Sequence, residues 1–411
     1  MDRKLITIAS IIMLATACAS TTKSRDVKPL TVNAAVLQSP EETKLLKKSQ
    51  QVHDELVRKG LIVRDKELNR YISDLAAKVA PEFNHPSIKL NFYVLKDASV
   101  NATAFPNGNI YLNAGLISKL TSEEHLAFVI AHEIVHVINR HSLLTTISSK
   151  NTIASSHIAN MLLMGTNLVY FATLSELSSF SREKEDEADY GAMKLLHASS
   201  INLSEGAKAI ANLRLGKNNK ESASIWSSHP DIDERLSRFG DRVTSNHWQN
   251  DIATVDVAQY QSIRTKVAEQ VIKIRLLNKQ FELAEEVVTQ ELTITPNNPK
   301  LHFYLGEIHR LKVQHPDATA TEHAWLNGIK DDEKLRELLS KNHADYLVSA
   351  KQNYEKALAI DEHFTLSYRG LAMLALHRGE KDQAKALFDK YLGTENISDR
   401  RYITSIRDNI H

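Results

Sequence analysis

Residues 131–141 read AHEIVHVINRH, with three histidines, a glutamate and an arginine set among isoleucine and valine. On a helix, His132 and His136 stand four apart and project from one face, so both rings can reach a single ion. Glu133 follows directly, where its carboxylate can take a proton from an activated water without being a ligand. Zinc hydrolysis uses this arrangement, because the ion lowers the pKa of water towards about 7 and polarises the carbonyl under attack. The pentapeptide also fits an ordinary histidine-rich helix, and a catalytic site requires a third protein ligand with a fourth position open. His125 and His141 read as residues of solvated or packed faces.

Upstream, Thr121 and Glu124 form a capping box, and the apolar periodicity continues from His125 to Leu144 as one long helix. IKLNFYVL, Ile88 to Leu95, alternates like a strand, and NIYLNAGLI follows the turn signal Pro106-Asn107-Gly108. A small sheet with a hairpin is expected there. Two helices precede it, one from Pro40 closing on Gly60 and one from Lys66 closing before Pro81. Downstream, residues 158–174 are strongly apolar but interrupted by Asn160, Gly165, Thr166 and Asn167, and fall short of the roughly 20 residues of a membrane span. A buried or surface-lying helical hairpin over the active site is the expectation.

The third ligand should come from a separate element, and SREKEDEADYGA supplies the candidates. Glu185 and Asp189 share a helical face, flanked by Ala188 and Ala192, which permit close approach of a neighbouring helix. Glu183, Asp186 and Glu187 read as a solvated face. A loop containing SHPDIDERL follows.

HEIVH, SREKEDEAD, SHPDIDERL and the upstream NATAFPNGNIYLNAGLI occur in the order found in gluzincin metallopeptidases. Over about Glu41 to Val243 the chain resembles the HtpX and CAAX-prenyl-protease-like family of these enzymes. The resemblance implies one zinc ion per chain held by His132, His136 and Glu185, with Glu133 as general base. It makes Asp189 a carboxylate that holds a ligating imidazole by its other ring nitrogen. It brings His229 near the site, to fill the open metal position at rest or to stabilise the oxyanion, unless Pro230 and Arg235 simply fix a loop there. Asn109, Ile110, Tyr111 and Leu112 are expected to form an edge strand that pairs with an extended peptide through its backbone.

Other features bound the whole chain. MDRKLITIASIIMLATAC has the charged start, apolar run and small residues of an export signal ending at Cys18, the sole cysteine. This resembles a lipoprotein signal with lipidation at Cys18; Ala15-Thr16-Ala17 leaves cleavage by the ordinary signal peptidase open. Past Ser245 the pattern is helical, and Ala284, Ala350, Tyr354, Ala357, Ala384 and Phe388 keep the phase of tetratricopeptide repeats, with Ala318 in a weaker unit. With 51 Lys+Arg against 50 Asp+Glu, no basic field points to nucleic acid.

The expected fold is α+β, mainly α: a gluzincin metalloprotease domain with a small β-sheet, followed by an α-helical tetratricopeptide-repeat solenoid. The expected divisions are a signal at 1–17, a tether at 18–40, the peptidase at 41–245, a linker at 246–264, repeats at 265–398 and a tail at 399–411. Repeats behind such a domain make the chain similar to periplasmic β-barrel assembly-enhancing proteases. That similarity implies an envelope endopeptidase, membrane-anchored through lipid, acting on unfolded or misassembled proteins, with the outer-membrane β-barrel assembly machinery as a partner of the repeats. A chaperone or scaffold with a largely structural metal domain is the competing expectation.

Overall fold

A computed structural model describes residues 27–30, 39–148, 180–214, 232–248, 257–330, 335–337, 339, 342–395 and 397–410. Cys18, the 158–174 stretch and His229 lie outside the described residues. The chain divides into two units, with a boundary between Arg264 and Thr265.

The first unit begins with α1 (Pro40–Arg58), which has Pro at its first turn and Ser39 capping the Glu42 amide at 3.1 Å. In α2 (Lys66–Val79), the Asp65 carboxylate accepts from the amides of Glu67 and Leu68. Three strands follow, β1 (Asn91–Leu95), β2 (Ala102–Ala104) and β3 (Asn109–Asn113), in the order β1-β3-β2. The hairpin joins β2 to β3, while β1 runs parallel to β3. Gly108 makes the turn at φ 83°, where an added Cβ would lie 2.2 Å from the Lys89 carbonyl oxygen.

This order corrects the expected edge strand. Ile110, Tyr111 and Leu112 pair with β1 on one side and β2 on the other, Asn109 pairs with Asn91 of β1, and all four are buried, so β3 is the centre of the sheet. A short apolar run after a turn signal announces a strand but not which strands lie alongside it, and the burial of every β3 residue is what a central strand requires. The outer positions belong to β2 and to β1, the latter flanked at its end by Ile62, which bridges to Leu95.

Helix α3 (Ala114–Lys119) leads to α4 (Glu123–Ile138), which carries the motif. Ser122, one residue beyond the expected cap, accepts from the His125 amide at 3.3 Å. Every residue from His125 to Val137 is buried, as befits a helix surrounded by other elements. The expected continuous helix breaks after Ile138. Arg140 takes a left-handed φ of 56°, and α5 (His141–Ser148) starts in a new direction.

Against α4 packs α6 (Arg182–Ala198), with Ala188 and Ala192 fully buried. An added Cβ on Gly191 would lie 2.7 Å from Val135, so a glycine there allows the two helices their close approach. Helices α7 (Leu203–Arg214) and α8 (Ile232–Ser245) complete this side. The expected linker is partly structured, since α9 (Val257–Leu277) starts within it. Tyr260 Oη donates to the Leu120 carbonyl at 3.0 Å and Arg264 Nε to that of Ser118 at 3.1 Å, tying the helix start to the first unit.

The second unit is helical: α10 (Phe281–Ile294), α11 (Pro299–Gln314), α12 (Pro316–Asn327), α13 (His343–Ile360), α14 (Leu366–His377), α15 (Lys381–Leu392) and α16 (Arg400–Asp408). Ala284, Ala350, Tyr354, Ala357, Ala384 and Phe388 are all fully buried. The Tyr354 ring fills the space that Cβ atoms on Gly306 and Gly370 would occupy, at 2.7 and 2.4 Å. Ala318 is half-buried, while Ala320 and Ala324 face the interior. The expected tail is a packed helix, because Ile403 and Ile410 bury one face against Phe388 and Tyr391. No helix of the described residues is long and apolar enough to cross a membrane.

Candidate metal centre

Helices α4 and α6 meet at His132, His136 and Glu185, whose donor atoms all lie within 4.8 Å of one another. His132 Nε2 is 2.9 Å from His136 Nε2, and the Glu185 carboxylate oxygens lie 3.3 Å from the first and 3.6 Å from the second. All three side chains are buried. The helical spacing does this: residues four apart on α4 present two rings, and Glu185 enters from the first turn of α6.

The other ring nitrogens are held as well. His132 Nδ1 lies 3.0 Å from Asp189 Oδ1, one turn along α6 from Glu185. Arg235 on α8 grips the same carboxylate, with Nε 2.7 Å from Oδ2 and Nη2 2.7 Å from Oδ1. Burial pushes the Asp189 carboxyl up, but the Arg235 guanidinium and the His132 hydrogen bond outweigh it and hold the group at about 2. A permanent carboxylate so fixed accepts the Nδ1 proton of His132, leaving the Nε2 lone pair directed at His136 and Glu185. Without an ion, burial pulls His132 down but Asp189 and Glu185 overcome that and raise its ring to about 9, so the place between Nε2 and Glu185 holds a proton that a metal ion would displace to gain the lone pair.

On His136, the ring stacks on Phe180 at 4.1 Å between centroids, and its Nδ1 is 2.8 Å from His141 Nδ1. His141 is fully buried, and its Nε2 reaches Glu187 Oε2 at 3.2 Å. Burial pushes the His141 ring below its ordinary value in spite of Glu187. The sequence reading treated His141 and Glu187 as bystanders, and the break at Arg140 is what turns His141 inward. Sequence reading likewise left Arg235 to a loop, whereas it secures Asp189 from a helix.

The remaining expected site residues divide. Glu133 is fully buried on α4 beside His132. His125 is buried but removed from the metal cluster, with its Nε2 3.1 Å from Glu205. Asp186 lies in an ion-pair network with Arg238 and Arg242 rather than on a bare solvated face. A small cavity of about 20 Å³ is lined by Ala104 at the end of β2, Phe105, Pro106, Leu143 and His136, so the outer strand and a candidate ligand border one space.

The donor set can be tested for metal. Donors at the corners of a zinc tetrahedron with bonds of about 2.0–2.1 Å lie about 3.3 Å apart. The three separations above, 2.9, 3.3 and 3.6 Å, bracket that value, and two imidazoles with one carboxylate suit a borderline-soft dication. The residues present fit a metal ion.

Such a helix pair, with its buried His, His and Glu donors, is suited to a metal ion, and residues 64–243 form a domain of Peptidase family M48. This part of the chain is therefore a metalloprotease domain. The chain is similar to the beta-barrel assembly-enhancing protease of Escherichia coli strain K12, 28% identical over 155 residues, which are 34% of this chain and 31% of that protein. It is similar to the mitochondrial metalloendopeptidase OMA1 of Schizosaccharomyces pombe, 25% identical over 177 residues, or 41% of this chain and 51% of that one. It also matches protease HtpX of Legionella pneumophila, 25% identical over 215 residues covering 42% and 76% of the two chains. The matches thus span about a third of the first of these relatives and half of the second.

Proposed function

We propose that the chain is a zinc-dependent endopeptidase of the bacterial cell envelope that degrades misfolded or misassembled outer-membrane proteins. The observation that carries this reading is the convergence of His132, His136 and Glu185, with Asp189 holding the first ring from behind. His132, His136 and Glu185 would hold one zinc ion, which supplies Lewis acidity that activates water and polarises the scissile carbonyl. Glu133 takes the proton of the attacking water and returns it to the leaving amine. Asp189, clamped by Arg235, keeps His132 in the binding tautomer. The substrate pairs as an extended strand with β2, the outer strand whose Ala104 borders the same cavity as His136; this pairing reads backbone extension rather than sequence and so favours unfolded segments.

Envelope location draws support from the export signal ending at Cys18, with lipidation there as the membrane anchor, and from the named relative in Escherichia coli. We read the second unit as tetratricopeptide-like repeats, supported by the buried small residues and by Tyr354 packed on two glycines. Its cavity of about 420 Å³, lined by Arg310, Arg369, Met373, Asp399 and Tyr402, suits an extended client segment or a partner in the β-barrel assembly machinery. The same cavity favours a second reading, in which this unit acts as a chaperone independent of catalysis.

Incubation with a panel of unfolded outer-membrane proteins tests both. Cleavage by the parent and its loss in Glu133→Gln, with zinc retained, supports the endopeptidase. Equal cleavage by Glu133→Gln refutes the assigned base, and client protection that survives Glu133→Gln but not removal of residues 265–398 supports the second reading.

A further inference from the structure

The Arg140 break sends α5 back towards α4 and lays His141 on the far side of His136 from the proposed metal. We infer that His141 and Glu187 form a relay that fixes His136 in its metal-binding tautomer, making both of them positioning residues for the ion. This rests on the zinc reading above.

The tautomers follow from donor and acceptor counting. Glu187 is acceptor-only when ionised, so a neutral His141 facing it at 3.2 Å keeps its proton on Nε2. His141 Nδ1 then carries a lone pair, and at 2.8 Å it demands a proton on His136 Nδ1. His136 Nε2 is left without a proton, facing His132 Nε2 and Glu185, where the lone pairs of the two rings would meet on the ion. The opposite assignment sets two lone pairs against each other at the His141–Glu187 contact. His132 receives the same treatment from Asp189 and Arg235, so each imidazole of the cluster is held by a separate acidic group.

The two supports differ in exposure. Asp189 is buried, whereas the Glu187 side chain is 60% exposed, so its contribution reaches His136 through the fully buried His141 ring. Glu187 can therefore be altered without disturbing the core, which separates positioning from folding.

The test measures zinc affinity of the purified full-length chain by competition with a chromophoric chelator, with thermal unfolding of the metal-free proteins alongside. His141→Leu is expected to weaken zinc binding ~10–100-fold, and Glu187→Ala about 10-fold with an unchanged melting temperature. His141→Asn keeps an acceptor near the Nδ1 position, and Glu187→Gln keeps an acceptor oxygen; both should remain close to the parent. A merely structural role predicts that His141→Leu and His141→Asn lose affinity together and that Glu187→Ala loses none, and that pattern overturns the inference. A parent that binds zinc no more tightly than all four variants overturns it alone, and a parent that binds no zinc overturns the metal reading with it.

Discussion

Replacing Arg235 with methionine removes the guanidinium that makes two 2.7 Å contacts with Asp189 while keeping an unbranched side chain in its place. Arg235 is 7% and Asp189 4% exposed, so the orphaned carboxylate would stay in a water-poor setting beside Glu185. Breaking a buried pair from one side costs about 3–5 kcal/mol, a large part of the ~5–15 kcal/mol that stabilises an ordinary domain. Adding Asp189→Leu should recover most of this, less about 1–3 kcal/mol for the His132 Nδ1 proton that then lacks its acceptor. Zinc affinity should behave differently, dropping ~10–100-fold in the single variant and staying low in the double one. Urea unfolding in the presence of EDTA reads the first quantity and chelator competition the second. A loss within about 0.5 kcal/mol for Arg235→Met, the size of an ordinary surface change, would refute the clamp.

Further outcomes follow from other parts of the molecule. Asp189 and Glu285 are both held at about 2, against about 3.9 and 4.3 in an unfolded chain. Burial opposes ionisation in each, and Arg235 in one case, His309 and Lys312 in the other, outweigh it. Because these folded values are depressed, the stability they contribute is full above about pH 4.5 and disappears as pH falls through about 2, which urea midpoints across that range would record. Gly370→Ala pushes a methyl group towards the Tyr354 ring at 2.4 Å and should destabilise the second unit by about 1–3 kcal/mol while zinc affinity stays at the parent value. Ala104→Pro puts a residue without an N–H on the outer strand, at a position whose amide alternates away from β3; peptide cleavage should fall with zinc retained, as steady-state kinetics would show.

The parts of the site that sequence made legible are those set by local periodicity. His132 and His136 share a face through i, i+4 spacing, and Glu185 with Asp189 repeats that spacing on a helix whose Ala188 and Ala192 advertise close packing. The acceptor behind His132 could be expected because a ligating imidazole needs one. What remained hidden depends on tertiary encounters. The left-handed residue is an arginine, neither glycine nor asparagine, and Asn139 before it caps the helix in an ordinary right-handed conformation, so α4 and α5 read as one helix and His141 as an outward residue. Arg235 lies 46 residues from the carboxylate it binds. The sheet order was misread for a similar reason, since a short apolar run such as Asn109–Leu112 after a turn signal announces a strand without telling which strands lie on either side of it. The C-terminal helix escaped notice because its apolar stripe consists of a few isoleucines in an otherwise charged segment.

The central claim is that His132, His136 and Glu185 are the ligands of one zinc ion. Elemental analysis of the purified chain and of Glu185→Ala, after dialysis against limiting zinc, tests it most directly. The parent should retain one equivalent of zinc and Glu185→Ala should lose it while still folding; a parent without zinc, or a variant that keeps the full equivalent, would contradict the assignment.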